Sequence, residues 1–226
     1  MTSTQLIARR VDQTLSTSGN VYIIQGDIHW TTEDGTPTYE TITLYGVDCR
    51  TRVNLPGYGD TDHTGQFLFP QHVQQTTYEL WDPYYPGPRT ATFRRVEAVQ
   101  DLTVYVFDFI ATNVDDTGGF TFLPDVPERY YAYSDGQGTL WIEPVSGIVV
   151  DFEDGGVTYF VDVNTGQRVA DMYHWSARYT TETQAAQLAL ARTARKMHLA
   201  LEVWLPGGLL ITGLLWLAVS LWRRRS

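Results

Sequence analysis

Short apolar runs separated by polar turn residues dominate the first 180 residues of the chain. These runs are rich in Val, Ile, Thr, Tyr and Phe, which favour β-strands because branched and aromatic side chains pack well on a pleated surface. Their regular spacing predicts a mainly β domain over residues 21–180, arranged as an antiparallel meander, a sandwich or a partial barrel. The predicted strands are 21–30, 39–47, 77–81, 90–99, 102–111, 130–133, 139–143, 148–153, 157–163 and 168–179.

Four glycine-containing sequences are typical of hairpin connections, because glycine adopts a positive φ without steric cost. They are Asp34-Gly35, Asp135-Gly136, Asp154-Gly155 and Asn164-Thr165-Gly166. Three of them fall within residues 130–179, so we predict that this stretch is a continuous antiparallel meander.

After residue 180 the apolar period changes from that of a strand to that of a helix. Thr181 and Gln184 fit a capping box at the helix start. Apolar side chains then recur at helical spacing, at Leu190, Ala194, Met197 and Leu201. We therefore predict an amphipathic juxtamembrane helix over residues 181–202, which runs into the apolar segment that follows and either packs on the sheet or lies on a lipid surface.

Residues 203–222 carry no charge and contain seven leucines. As a helix, they span roughly 30 Å, which is the thickness of a bilayer's hydrocarbon core. Trp204 and Trp222 lie about 27 Å apart along such a helix, so each ring reaches one membrane interface. Pro206 falls in the predicted first turn, where its missing N–H matters least. A transmembrane helix is the strongest prediction that this sequence supports.

Charge is distributed unevenly between the body and this C-terminal end. The net charge is −10, yet residues 191–226 carry six bases and one acid, Glu202. Arg223, Arg224 and Arg225 directly follow the span, which favours a cytoplasmic tail at 223–226 and an extracytoplasmic body. We interpret these three arginines, together with Trp204 and Trp222, as membrane-interface anchors. The acidic body argues against nucleic acid as a partner.

Residues 1–20 contain no apolar core of the kind that signal peptides require. Two interpretations stay open. Either this N-terminal segment is the remnant of a longer chain that has lost its leading segment, or the protein is tail-anchored with its body in the cytosol. The second interpretation would require translocation of the three terminal arginines, so we expect the first.

Several short motifs follow one another in an order that resembles the bacterial family called porin PorA, a domain of otherwise unknown function. The resemblance covers about residues 40–222, and the terminal apolar span belongs to it. The motifs are Arg50-Thr51-Arg52, Phe69-Pro70, YELWD at 78–82, TATFRRVEAVQDLTVYVFDF at 90–109, LWIEP at 140–144, Ser146-Gly147, DVNTGQRVAD at 162–171 and Tyr179-Thr180.

This resemblance implies a cell-envelope protein with an extracytoplasmic β-rich domain. Members of the family commonly have a membrane helix at each end, and the present sequence has only the second. The family name implies pore formation, but the resemblance identifies no catalytic or ligand-binding residue in this chain.

A pore has limited support in the residues themselves. One helix encloses no channel, so a pore needs either several copies or a membrane barrel. In the predicted strand at 90–99, Arg94 and Arg95 fall on opposite faces, whereas a membrane barrel needs one wholly apolar face. A subunit of an oligomeric porin-like channel is therefore the alternative function, and a homo-oligomer is compatible with the sequence.

Catalytic and metal-binding motifs are weak. Asp60 to Gly65 begins like a calcium loop, but Gln71 occupies the position where an EF-hand needs glutamate. The five histidines form no zinc-type pair, and Cys49 is the only cysteine. We expect no metal, no cofactor and no enzymatic activity. A membrane-tethered enzyme, built from carboxylates such as Asp151, Glu153 and Asp154, is the second alternative.

The stretch YELWDPYYPGPR places Trp81, Tyr84 and Tyr85 among three prolines. Large rings on a rigid backbone offer flat surfaces that stack on a sugar or contact a lipid tail. The same rings would equally serve to cap the core at a strand end. We interpret them as a weak candidate ligand site.

Together these patterns predict a single-pass membrane protein of the cell envelope with an extracytoplasmic β domain. Its predicted role is binding, scaffolding or structural, and its expected partners are membrane lipid and an envelope glycan, lipid or protein.

Overall fold

The computed structural model describes residues 4–81 and 88–223, and more than half of the chain lies in the strands of two antiparallel sheets. The mainly β fold with a C-terminal helix is therefore confirmed. The first sheet consists, in order, of β1 (Leu6–Ser18), β2 (Val21–Thr32) and β3 (Pro37–Asp48). The second consists, in order, of β4 (Thr77–Trp81), β5 (Pro88–Val99), β6 (Leu102–Asp115), β7 (Tyr130–Glu143), β8 (Ile148–Asp162) and β9 (Arg168–Arg178).

A short 3-10 helix (Thr117–Phe120) lies between β6 and β7. After β9 the chain forms one continuous helix. It consists of α1 (Thr181–Leu199), a π-helical turn (Ala200–Trp204) and α2 (Leu205–Arg223).

Isolated bridges connect the two sheets through the loop between β3 and β4. Val47 pairs with Asn54, Val53 pairs with Gln66, and Gln66 pairs with Leu80 of β4. The Trp81 backbone N–H donates to the Gln66 carbonyl at 2.8 Å. The first sheet is thereby attached to the edge of the second.

The second sheet is strongly curled. Arg89 on β5 and Asp154 on β8 are three strands apart, which is about 14 Å in a flat sheet. Their side chains approach to 3.7 Å (Nη1 to Oδ2) and both are almost fully buried, and from this burial we infer that the sheet curls into a partial barrel. Its concave interior holds a buried cluster formed by Phe69, Val73, Ala91, Phe107, Phe109, Leu140 and Ile142.

Two of the four predicted glycine turns are wrong. Asp135-Gly136 lies inside β7 and Asp154-Gly155 lies inside β8, so the separate strands predicted at 130–133 and 139–143 are one strand. The neighbouring Gly156 shows the physical reason, because a Cβ there would collide with the ring of Trp175. Glycine makes room for rings inside the curled sheet rather than reversing the chain.

The turn at Asp34-Gly35 and the turn at 164–166 are confirmed, and their glycines have φ values of 84° and 67°. The predicted meander is also confirmed, since β7, β8 and β9 pair in order and antiparallel.

The β region begins earlier than predicted. Residues 6–18, which we assigned to an N-terminal segment outside the domain, form β1 and pair with β2 along its whole length. Every described side chain of β1 except half-buried Arg10 is exposed, so no buried face leaves a hydrophobic pattern in the sequence. Backbone hydrogen bonds hold such an edge strand, and a sequence pattern does not report them.

The predicted capping box at the start of α1 is wrong by one residue. Thr180 is the N-cap, and its side chain accepts a hydrogen bond from the Thr183 backbone N–H at 3.1 Å. Gln184 instead donates to the Asp151 carboxylate on β8 at 2.6 Å. This contact with the sheet takes the glutamine away from the helix terminus.

Candidate functional site

The helix that follows the β domain is the candidate membrane anchor. Residues Thr181–Leu217 form a stretch long and apolar enough to cross a membrane, and its most apolar window has no buried residue. All side chains from residue 205 to residue 217 are exposed. A core helix of a soluble protein buries its apolar side chains against the domain, whereas this one presents them in every direction.

The predicted interface anchors lie near the two ends of this segment. Trp204 is 64% exposed in the π-helical turn and Trp222 is 73% exposed near the end of α2. Eighteen residues of helix place them about 27 Å apart. Arg223 is the last residue of α2, and Arg224 and Arg225 lie outside the described residues. The spacing of the two rings suits the two interfaces of a bilayer.

Pro206 does not begin a new helix, contrary to the prediction that it lies in a first turn. The helix already runs from Thr181, and Pro206 interrupts its hydrogen-bond ladder because proline has no N–H and crowds the carbonyl four residues before it. A π-helical turn relieves this crowding, and the Leu205 N–H donates to the Ala200 carbonyl, five residues back. The candidate membrane segment and α1 are therefore parts of one helix.

α1 packs against the convex side of the curled sheet through a small apolar contact. Leu188 and Ala191 are fully buried there. Val150 of β8 and two residues of β6, Leu102 and Val104, complete the cluster. α1 thus packs on the domain, which was one of the two arrangements that the sequence left open.

Arginines on α1 add polar contacts to this packing. Arg192 donates to the Asp101 carboxylate in the β5–β6 turn at 2.8 Å, and this hydrogen bond lowers the pKa of Asp101 below its ordinary value. Arg195 lies 3.5 Å from the carboxylate of Glu143, which is fully buried at the end of β7. Glu143 also accepts from the Ser146 backbone N–H and hydroxyl at 2.8 and 2.7 Å. Two separate turns of the sheet therefore hold α1.

The last contact lies where the helix reaches the predicted membrane surface. Glu202 in the π-helical turn is 2.8 Å from His72 of the β3–β4 loop and 3.8 Å from His198 of α1. This contact ties a third loop of the domain to the base of the span. Sequence reasoning missed it because His72 and Glu202 are distant in the chain and neither belongs to a local motif.

The aromatic stretch proposed as a ligand site is only partly described. The Trp81 ring stacks on the ring of His63, with centroids 4.6 Å apart and planes at 10°. It packs against the buried cluster of Tyr45, Val47 and Phe67. Tyr84 and Tyr85 lie outside the described residues. Trp81 therefore occupies the junction between the two sheets.

Two carboxylates of the sequence that resembles a calcium loop accept hydrogen bonds from backbone N–H groups outside it. Asp60 accepts from the Leu44 backbone N–H at 2.8 Å and Asp62 accepts from the Gly57 N–H at 2.9 Å. Burial lowers the pKa of His63, which lies within the same turn. Within residues 4–81 and 88–223, no three His, Cys, Asp or Glu side chains are grouped closely enough to hold a metal ion.

The interior of the partial barrel contains polar groups that sequence reasoning did not identify. Ser134 donates to the Asp116 carboxylate at 2.6 Å and lies 2.9 Å from the Thr158 hydroxyl. Burial raises the pKa of Asp116. The carboxylates suggested for an enzyme have other partners, since Asp151 accepts from Gln184 and Asp154 lies beside Arg89.

Comparison with known proteins agrees with the resemblance noted in the sequence. The family described as Porin PorA matches residues 42–222, which is most of the chain. A search of curated proteins finds no significant match. The matched region begins within β3 and includes the curled sheet, α1 and nearly all of α2.

Proposed function

Because the chain belongs to the Porin PorA family, we propose that it is a single-pass membrane protein of the cell envelope whose β domain is held outside the cytoplasm. Its proposed role is binding or scaffolding, with an envelope glycan, lipid or protein as the partner. The observation that carries this proposal is the uninterrupted helix, which is packed on the β domain at one end and exposed and apolar at the other.

This arrangement fixes the domain relative to the bilayer. Leu188 and Ala191 attach α1 to the sheet, and the contact between Glu202 and His72 lies at the base of the span. A flexible linker allows a tethered domain to sample many positions above the membrane. A helix packed on the domain instead keeps the domain at one height and orientation relative to the membrane. A domain held in this way meets partners on the membrane surface at a high effective concentration.

The ion pairs of α1 support a cytoplasmic C-terminus. Three bases lie on each side of the span, so a simple count leaves the orientation undecided. Arg192 and Arg195, however, lie beside the carboxylates of Asp101 and Glu143, which compensate their charge. The arginines at 223–225 follow the span directly, and the positive-inside rule then favours the cytoplasm for that end.

Membrane extraction tests the anchor. Wild-type protein is expected to stay in the membrane fraction after alkaline carbonate treatment. Replacing Leu210 and Leu214 together by arginine should release it, because each arginine at the centre of a span costs about 3 kcal/mol. Gln137→Arg, at an exposed position of β7, is the control that should stay membrane-bound. Complete extraction of wild-type protein would contradict the anchor.

Cysteine labelling tests the orientation. In a Cys49→Ser background, Gln137→Cys should react with a membrane-impermeant maleimide in intact cells, whereas Ser226→Cys should react only after lysis. The reverse pattern would place the domain in the cytoplasm and overturn the proposal for the location of the domain.

The name of the family favours a second candidate function, a subunit of an oligomeric porin-like channel. Planar-bilayer recording of purified protein tests it. Discrete conductance steps that disappear when residues 201–226 are removed would support a channel. A silent bilayer containing protein that resists carbonate extraction would favour the binding or scaffolding role.

A further inference from the structure

We infer that the β domain makes its own contact with the membrane, in which residues 71–75 of the β3–β4 loop and Lys196 of α1 bind phosphate groups of lipid headgroups around the base of the span. We call residues 71–75 the basal loop. All of its side chains except that of Val73 are exposed. The inference rests on the proposed anchoring of α2 in the bilayer and extends it by naming a lipid-binding surface on the domain.

The contact between Glu202 and His72 sets the height of the basal loop. Glu202 directly precedes the uncharged stretch that begins at residue 203, and an ionised carboxylate is costly in hydrocarbon, so Glu202 lies in the headgroup layer. His72 Nε2 lies 2.8 Å from Glu202 Oε2. Because the headgroup layer is about 5–8 Å thick on each side of the hydrocarbon core, the exposed imidazole of His72 lies within it.

Lys196 is close enough to the span to reach the same layer. It precedes residue 203 by seven positions, which is about 10 Å along the helix. The flexible stem of a lysine carries its ammonium group toward the headgroups, as is common for lysines near the end of a span. Lys196 is exposed and lies about 80° around the helix from Leu188, which packs on the sheet. Its side chain is therefore free of the sheet and available to lipid.

Backbone hydrogen bonds hold the basal loop at this height. The His72 N–H donates to the Val145 carbonyl at 3.1 Å, and the Val73 N–H donates to the Pro144 carbonyl at 2.8 Å. The side chain of Val73 belongs to the buried cluster inside the curled sheet. His72 has a φ of 56°, a left-handed conformation that a residue other than glycine keeps only where the surrounding contacts impose it. The loop therefore presents a fixed polar surface to the bilayer.

The distribution of charge favours phosphate as the ligand. The chain has 26 acidic residues, yet residues 63–78 and residues 183–201 contain none, and the second stretch contains three bases. Glu202, the acid that contacts the basal loop, faces His72 and also His198, which lies 3.8 Å away. An otherwise strongly acidic protein thus presents lipid with a surface that does not repel phosphate.

The opposite end of the strands is acidic. The β6–β7 loop, residues 116–129, contains Asp116, Asp125 and Glu128, with Arg129 as its single base. β7 begins at this loop and ends at the β7–β8 turn, to which the basal loop is hydrogen-bonded. An anionic membrane surface therefore repels the far end of the domain and not the basal end, which supports the same orientation as the packing of α1.

Quenching by headgroup nitroxides tests the inference. In a Cys49→Ser background, a single cysteine that replaces Gln71 carries a fluorophore, and the full chain is placed in liposomes of phosphatidylcholine and phosphatidylglycerol with a nitroxide on some headgroups. We expect this label to be quenched several-fold more strongly than the same label at Gln137→Cys, an exposed position in the middle of β7. Equal quenching at both positions would overturn the inference.

Charge reversal tests the contribution of Lys196. Lys196→Glu should reduce the quenching of the label at residue 71, because a carboxylate repels phosphate. Thr193→Glu is the matched control, since Thr193 is exposed on the same helix but lies about 15 Å before residue 203, beyond the headgroups, and it should leave the quenching unchanged. Unchanged quenching in Lys196→Glu, or an equal loss in both variants, would overturn the inference.

Two further measurements separate the possible failures. Inorganic phosphate added at constant ionic strength should leave the quenching unchanged, and a loss would show that the surface binds a free anion rather than lipid headgroups. Carbonate extraction of the same liposomes reports on the anchor. Protein that stays membrane-bound without quenching at residue 71 refutes only the headgroup contact, whereas extracted protein refutes the anchor as well.

Discussion

α1 and α2 belong to one helix but differ in how they use their side chains. α1 buries Leu188 and Ala191 against the sheet and directs two arginines toward carboxylates of the β domain. α2 has no charge between residue 205 and residue 222, and all its side chains described between 205 and 217 are exposed. Both segments are helical, so the position of the charged side chains distinguishes them. α1 carries charges and packs on the β domain, whereas α2 lacks them and is suited to lipid.

The largest expected difference between the two parts concerns leucine truncation. Leu188→Ala should lower the free energy of unfolding of the β domain by about 2–5 kcal/mol, because it leaves a cavity between helix and sheet. Leu209→Ala in α2 should leave that free energy nearly unchanged. Urea titration of the full chain in nanodiscs, followed by tryptophan fluorescence, measures both. Equal losses would show that α2 also packs on the domain.

A smaller difference is expected between the two arginines of α1. Arg195→Ala leaves the fully buried carboxylate of Glu143 without its cation and should cost about 1–2 kcal/mol of unfolding free energy, since Arg195 itself is partly exposed. Arg192→Ala removes a pair with exposed Asp101 and should lower the unfolding free energy by less than Arg195→Ala, because solvent screens the pair. Urea titration of the full chain in nanodiscs compares the two variants. A greater loss for Arg192→Ala would contradict this account of docking.

The smallest expected effect is the pH dependence of the contact between α1 and the β5–β6 turn. Arg192 lowers the pKa of Asp101, so this contact stabilises the folded state above the ordinary pKa of an aspartate. The contribution is lost as the pH falls through the lowered pKa of the folded state. Acidification from pH 7 to about pH 3 should therefore lower the melting temperature of wild type more than that of Asp101→Asn.

Carbonate extraction of samples treated at both pH values is the control, since no titratable side chain lies between residues 205 and 222. A loss of membrane association at low pH would show that the anchor depends on charge, against this account. If acidification lowered the melting temperatures of wild type and Asp101→Asn equally, the Asp101 contact would not stabilise the folded state.

The features that could be predicted from the sequence are those with a local pattern. An uncharged run from Val203 to Trp222 is sufficient to indicate a span, and alternating branched and aromatic residues are sufficient to indicate strands. β1 escaped prediction because nearly all of its side chains are exposed, so burial imposes no alternation.

Features that depend on distant contacts could not be predicted. In the sequence Gly156 is typical of a turn, and only the structure shows that the ring of Trp175 occupies the space where a Cβ would lie. Glu202 and His72 meet only because α1 crosses the β7–β8 turn toward the β3–β4 loop. Pro206 is typical of a first helical turn, and the helical spacing that precedes it does not show that the helix continues through the proline. Tertiary contacts, rather than local preferences, decide each of these cases.

The central claim is that α2 lies in lipid while α1 lies outside it on the domain. Spin labels at single cysteines replacing Leu209, Ile211, Leu214 and Glu182 in liposomes test it directly by comparing collisions with oxygen and with a water-soluble nickel complex. We expect oxygen to dominate at the three α2 positions and the nickel complex to dominate at residue 182. Nickel access throughout α2, or immobile labels shielded from both reagents, would contradict the claim.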